Sequence, residues 1–190
     1  ARAKPGEVKI ELAPMARQKM NESRRYIENR IASGEVMYGV NTGFGAFSSV
    51  RISDSEIEEL QRNLIRSHSA GIGQPFTPEE SRAVLFLRAN ALSLGHSGIR
   101  DVVVDKILEF LNQFVTPVIP SQGSVGASGD LAPLSHLALA LIGEGEAWEK
   151  VGGEWKAGSV QKILAEKKMQ PLELKAKEGL SLINGCQVMT

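Results

Sequence analysis

The sequence predicts a mainly α-helical fold with one small β-hairpin. Three observations predict it. Apolar residues recur at helical spacing through most of the chain, start signals such as Thr77-Pro78-Glu79-Glu80 stand ahead of those stripes, and Gly152-Gly153 separates two short extended runs. At 190 residues the chain fits one domain or at most two and can bury a real core.

The elements follow in order. Pro14 suits a first helical turn, and Met20, Ile27 and Ile31 continue a stripe until Gly34, which predicts a helix over 14–33. Ser53-Asp54-Ser55-Glu56 has the spacing of a capping box and opens a helix over 54–68. Its stripe runs Ile57, Leu60, Leu64, so His68 falls on the inward face. A third helix follows Thr77 and runs to Gly95. A fourth carries Ile99, Val103, Ile107, Leu111 and Phe114 and must stop before Pro117, which forces extended geometry on the residue ahead of it.

Pro120 to Asp130 is rich in glycine and other small residues, and it precedes a run over 131–142 that is apolar nearly all round. Such a helix belongs in the middle of a large core and carries the loop inward with it. The chain beyond it holds few further helices, so the expectation is that the core around 131–142 must come from elsewhere. Extended runs over 147–151 and 154–157 form the hairpin, Ser159 caps a short helix to Lys168, and a last helix over 175–183 ends at Asn184-Gly185.

Composition narrows the function. Twenty-two Lys plus Arg balance twenty-two Asp plus Glu, which leaves no net field to hold nucleic acid or an anionic bilayer. A single cysteine, Cys186, excludes an internal disulfide framework and a thiolate zinc site, and three histidines lack ligand spacing, so no metal is expected. No apolar run approaches the ~18 residues of a membrane span, and the start lacks a signal-peptide core, which places the expected protein in the cytoplasm. The missing initiator Met and the end at Val188-Met189-Thr190 predict part of a larger protein.

Gly123, Gly126 and Gly129 have the wrong spacing for a dinucleotide fingerprint, and no Gly-Lys-Ser/Thr follows for a nucleotide loop. A plain buried turn is the bland alternative. Against it stands Ala127-Ser128-Gly129, in which a small residue, a dehydratable hydroxyl and an unobstructed glycine nitrogen lie in sequence and can cyclise.

The run Gly123 to His136, through Ala127-Ser128-Gly129-Asp130-Leu131-Ala132-Pro133-Leu134-Ser135, resembles the signature of the aromatic amino acid ammonia-lyases. Tyr38-Gly39-Val40-Asn41-Thr42-Gly43-Phe44-Gly45 resembles that family's catalytic-tyrosine loop, and Leu182-Ile183-Asn184-Gly185 its asparagine motif. Three motifs in the family's order are specific together. The resemblance implies the fumarase/aspartase-like ammonia-lyase fold, with residues 1–190 its N-terminal helical domain and the long bundle beyond Thr190. It also implies a 4-methylidene-imidazole-5-one group, MIO, made from Ala127, Ser128 and Gly129, and no dissociable cofactor. The Gly129 nitrogen would attack the Ala127 carbonyl carbon, and loss of two waters, one with the Ser128 hydroxyl, would leave an exocyclic methylene.

The resemblance further implies elimination of ammonia from an aromatic amino acid, with Tyr38 as base. Moving a phenol from a pKa of ~10 to ~7 needs about 4 kcal/mol of phenolate stabilisation. The alternative for Tyr38 is an amphipathic core tyrosine. Asn184 suits holding the MIO oxygen or the substrate amine, or else serves as a left-handed helix C-cap. Ser67-His68 resembles the pair of members acting on histidine and favours L-histidine as substrate, giving trans-urocanate in a homotetramer. His68 as a satisfied core histidine is the plain alternative, and His96 and His136 receive no role. Cys186 departs from the threonine that commonly follows Asn-Gly in the family. A phenylalanine or tyrosine lyase, an aminomutase, or a non-catalytic helical binding or assembly module remain open. The chain on its own is expected to be inactive, with its tripeptide unclosed.

Overall fold

The computed structural model describes residues 7–43, 52–123 and 131–188. Among these lie seven helices: α1 (Pro14–Ala32), α2 (Asp54–His68), α3 (Pro78–Ser93), α4 (Asp101–Asn112), α5 (Leu131–Leu141), α6 (Val160–Glu166) and α7 (Glu178–Ile183). Five short strands accompany them: β1 (Ile72–Pro75), β2 (Thr116–Pro117), β3 (Pro120–Gln122), β4 (Glu146–Val151) and β5 (Glu154–Ser159). The fold is mainly α, as the periodicity predicts. None of these helices is long and apolar enough to cross a membrane.

Local chemistry accounts for the boundaries. Pro14 opens α1, and Gly34, at φ +81°, lies just past its end. The Thr77 box closes both ways: Thr77 Oγ1 accepts from Glu80 N at 3.3 Å, and Glu80 Oε2 accepts from Thr77 N at 2.8 Å. The Ser53 box forms differently, since the Ser53 hydroxyl bonds the Glu56 carboxylate rather than the backbone amide. Ser159 makes no side-chain cap on α6; it is the last residue of β5, paired opposite Glu146.

The later helices are shorter than predicted because single residues leave helical geometry. Phe114 takes φ +57° beyond α4, Lys168 φ +55° beyond α6, and Lys177 φ +75° ahead of α7. The hairpin β4/β5 spans Gly152-Gly153 as expected, and β2 adds to it with Thr116 opposite Trp148. The antiparallel pair β1/β3 is new, because four and three residues carry too little alternation to read as strands.

The core corrects one expectation. On α5, Leu134, Leu137, Ala138, Ala140 and Leu141 are all fully buried, packed on α2 and α7 with β2 and β3 alongside. These 190 residues therefore supply the surroundings that α5 was expected to lack. At about 1.5 to 3 kcal/mol per buried leucine, α5 is a main source of stability and a rigid mount for the loop before it.

Candidate active site

Residues 124–130, with Ala127, Ser128 and Gly129, lie outside the described residues, but both flanks of that loop are placed. Gly123 has φ +141°, and a Cβ there would sit 2.9 Å from Gly71 Cα and 3.1 Å from the Ala132 side chain. The absent side chain lets the loop leave β3 against both the Gly71 backbone and the first turn of α5. The described flanks of that loop, Gly123 and Ala132, thus meet beside the segment that leaves α2.

His68 is the last residue of α2 and is half-buried, so its inward turn is only partial. Its Nδ1 lies 2.9 Å from Leu64 O and 3.0 Å from Ser67 Oγ, while Ser67 Oγ donates to the same carbonyl at 2.9 Å. A carbonyl only accepts, so Nδ1 is the donor to Leu64 O, and in the neutral tautomer that this geometry selects, Nε2 is an acceptor. His136, on α5, has the partner that sequence could not name. Its Nε2 accepts from Gly71 N at 3.1 Å, and burial pulls its pKa below the ordinary value.

Tyr38 is 62% exposed, which overturns the core-tyrosine alternative. It stands on a turn held from within. Asn41 Oδ1 accepts from Met37 N at 2.8 Å, Asn41 Nδ2 donates to Glu35 O at 2.8 Å, and Gly39 N donates to Thr42 Oγ1 at 3.2 Å. Asn41 and Thr42 are buried, so they act as the braces of the turn. Phe44 and Gly45, the rest of the motif, lie outside the described residues. Val40 anchors the turn against Ile57, eleven residues before His68, or about 16 Å along α2. His68 stands three residues before Gly71, whose backbone meets Gly123 at the flank of the tripeptide loop, whereas the anchor of Tyr38 lies three helical turns back along α2.

Asn184 follows α7 with φ −89° and ψ 105°, extended rather than the left-handed cap geometry, and its side chain is exposed. α7 is held from α2, from α3 and from Arg100, the residue that precedes α4. Glu178, fully buried, accepts from Arg100 Nε at 2.8 Å and Nη2 at 2.7 Å and from Lys175 N at 2.7 Å. Gln61, on α2, accepts from Gly179 N at 2.8 Å. Arg88, on α3 and 4% exposed, donates to Asn184 O at 2.9 Å and to Ser181 O. Sequence reading passed over Arg88. Its signal was a charge on the apolar stripe Leu85, Ala89, Leu92.

The chain resembles known proteins along its whole length. The model of the family described as aromatic amino acid lyase matches residues 1–190. Histidine ammonia-lyase of Bacillus cereus is 51% identical over 181 residues, covering 95% of this chain and 35% of that protein. The crystal structure of histidine ammonia-lyase from Trypanosoma cruzi superposes with a TM-score of 0.84 at 44% identity, over 95% of this chain and 34% of that one. Tyrosine aminomutase from Streptomyces globisporus gives a TM-score of 0.85 at 40% identity, over 96% and 33%. The chain spans about a third of the length of these relatives. Matched by the family model from end to end and carrying the tyrosine, tripeptide and asparagine motifs in one order, this chain belongs to the aromatic amino acid lyase family.

Proposed function

We propose that this chain is the N-terminal, MIO-bearing domain of a cytoplasmic, homotetrameric histidine ammonia-lyase that converts L-histidine to trans-urocanate and ammonia. The observation that carries this reading is the junction of Gly71, Gly123 and Ala132. It holds the two flanks of Ala127-Ser128-Gly129 together within three residues of His68 in sequence. A backbone that must close on itself needs such clamped ends, because a free loop would lose closure to entropy. The buried α5 supplies the rigid side of the clamp.

MIO, once formed from these residues, supplies an electrophile for the substrate amine, which no ordinary side chain offers. The other roles belong to unmodified side chains. The Nε2 acceptor of His68 suits the N–H of a substrate imidazole; a benzyl side chain would leave it unpaired, at a cost of about 1 to 3 kcal/mol. Tyr38, on its braced turn, is the base for the β-proton. Asn184 presents an exposed amide that can hold the amine.

The test is Ser128→Ala in the full-length enzyme. MIO absorbance should vanish, and urocanate formation should fall by orders of magnitude with the fold intact. Near-normal turnover would reject the assignment. The likeness to tyrosine aminomutase favours a second reading, an aminomutase. Product analysis separates the two, since a mutase yields a β-amino acid in place of urocanate.

A further inference from the structure

Arg88 is an arginine in the wrong place for a surface charge. It is 4% exposed, no carboxylate pairs with it among the described residues, and burial pulls its pKa down to about 10. A buried guanidinium without an acid partner is costly, so its donors should be committed to something that offsets the desolvation. The two terminal nitrogens converge on one turn, while Nε has no hydrogen-bond partner among the described residues. Nη2 donates to Ser181 O and, at 2.9 Å, to Asn184 O, while Nη1 donates to Gln187 Oε1 at 2.9 Å. Two of these acceptors are carbonyls at the C-terminal end of α7, where helical partners run out and the dipole favours a cation.

We propose that Arg88 is the positioning residue of the asparagine motif: it holds the Ser181 and Asn184 carbonyls, which bracket Leu182-Ile183, and so aims the Asn184 side chain. This rests on the reading of Asn184 as a site residue given above. The adjoining glycine has its explanation in the same contact. A Cβ on Gly185 would lie 2.3 Å from Arg88 Nη1 and 2.3 Å from Gln187 Oε1. A side chain at 185 would have to displace the guanidinium or the Gln187 amide. Lysine cannot replace the arginine fully, since an ammonium is a single point donor and cannot fork between the same carbonyls. The other end of α7, held by Arg100 and Gln61, sets the helix; Arg88 sets the turn that leaves it.

The experiment uses the full-length enzyme with L-histidine, each rate normalised to active sites counted by MIO absorbance. Asn184→Ala, Arg88→Met, Arg88→Lys, Gly185→Ala and the double variant Arg88→Met/Asn184→Ala are compared. Arg88→Met should lower kcat per site about 10- to 100-fold, as expected for a misplaced site group, with the same split between kcat and KM that Asn184→Ala shows. Arg88→Lys should recover part of the loss, and the double variant should be no slower than the slower single one. A purely structural role would lower the yield and Tm while leaving kcat per site unchanged, and that result overturns the proposal, as does multiplicative loss in the double variant. If Arg88→Met does not fold, Gly185→Ala and Arg88→Lys carry the same comparison. A normal Asn184→Ala enzyme would instead sink the reading of Asn184 itself, and with it the role given to Arg88.

Discussion

The Nε2 of His136 accepts the amide proton of Gly71 at 3.1 Å, joining α5 to the segment that leaves α2, across 65 residues of sequence. Gly71 is also the backbone against which Gly123 closes, so this bond backs the junction where the tripeptide loop begins and ends. An imidazole can accept there only while Nε2 is unprotonated.

That requirement sets a pH dependence. Burial lowers the folded-state pKa of His136 below its ordinary 6.5, so between the two values the unfolded chain binds the extra proton. Stability is therefore fully present above pH about 6.5 and declines as pH falls from there through the folded value. Thermal midpoints between pH 8 and 5 should show this decline, and His136→Gln, which keeps an acceptor without titrating, should flatten it. An equal slope in both proteins would count against the bond.

Substrate choice should follow Ser67 and His68. Converting the pair to Phe-Leu in the full-length enzyme removes the imidazole acceptor and should move the ratio of kcat/KM for histidine over phenylalanine toward phenylalanine. A ratio that stays put would detach selectivity from these residues.

Gly123→Ala places a methyl group 2.9 Å from the Gly71 backbone at a φ of +141° that alanine avoids. The flanks of the loop should part, and a smaller share of the chains should show the two-water mass deficit that marks ring closure. A full deficit with normal activity would show that close approach at Gly123 is dispensable.

Glu178→Ala removes the carboxylate that pairs with Arg100 and caps the Lys175 amide. Breaking a buried pair from one side should cost roughly 3 to 5 kcal/mol in urea unfolding, with Glu178→Gln costing less. A loss below about 1 kcal/mol would mean that water replaces the carboxylate.

The helices were legible in the sequence because each is written in local spacing. The stripe Ile57, Leu60, Leu64 and the Thr77-Glu80 box act over three or four residues, and α2 begins and ends where those signals place it. The motifs likewise sit in short runs, which is why Tyr38, Asn184 and Ala127-Ser128-Gly129 could be named from their resemblance to the family's motifs. Their surroundings are decided by contacts that no local pattern encodes. Arg88 reaches Asn184 across 96 residues, His136 reaches Gly71 across 65, and Gln61 reaches Gly179 across 118. The apolar faces of α5 showed how much surface must be buried but not what would cover it, and the expectation of a missing core failed at that point. Hydrophobic burial has no direction, so the sequence of α5 demands partners, and only the chain's path through space chooses α2 and α7 to provide them.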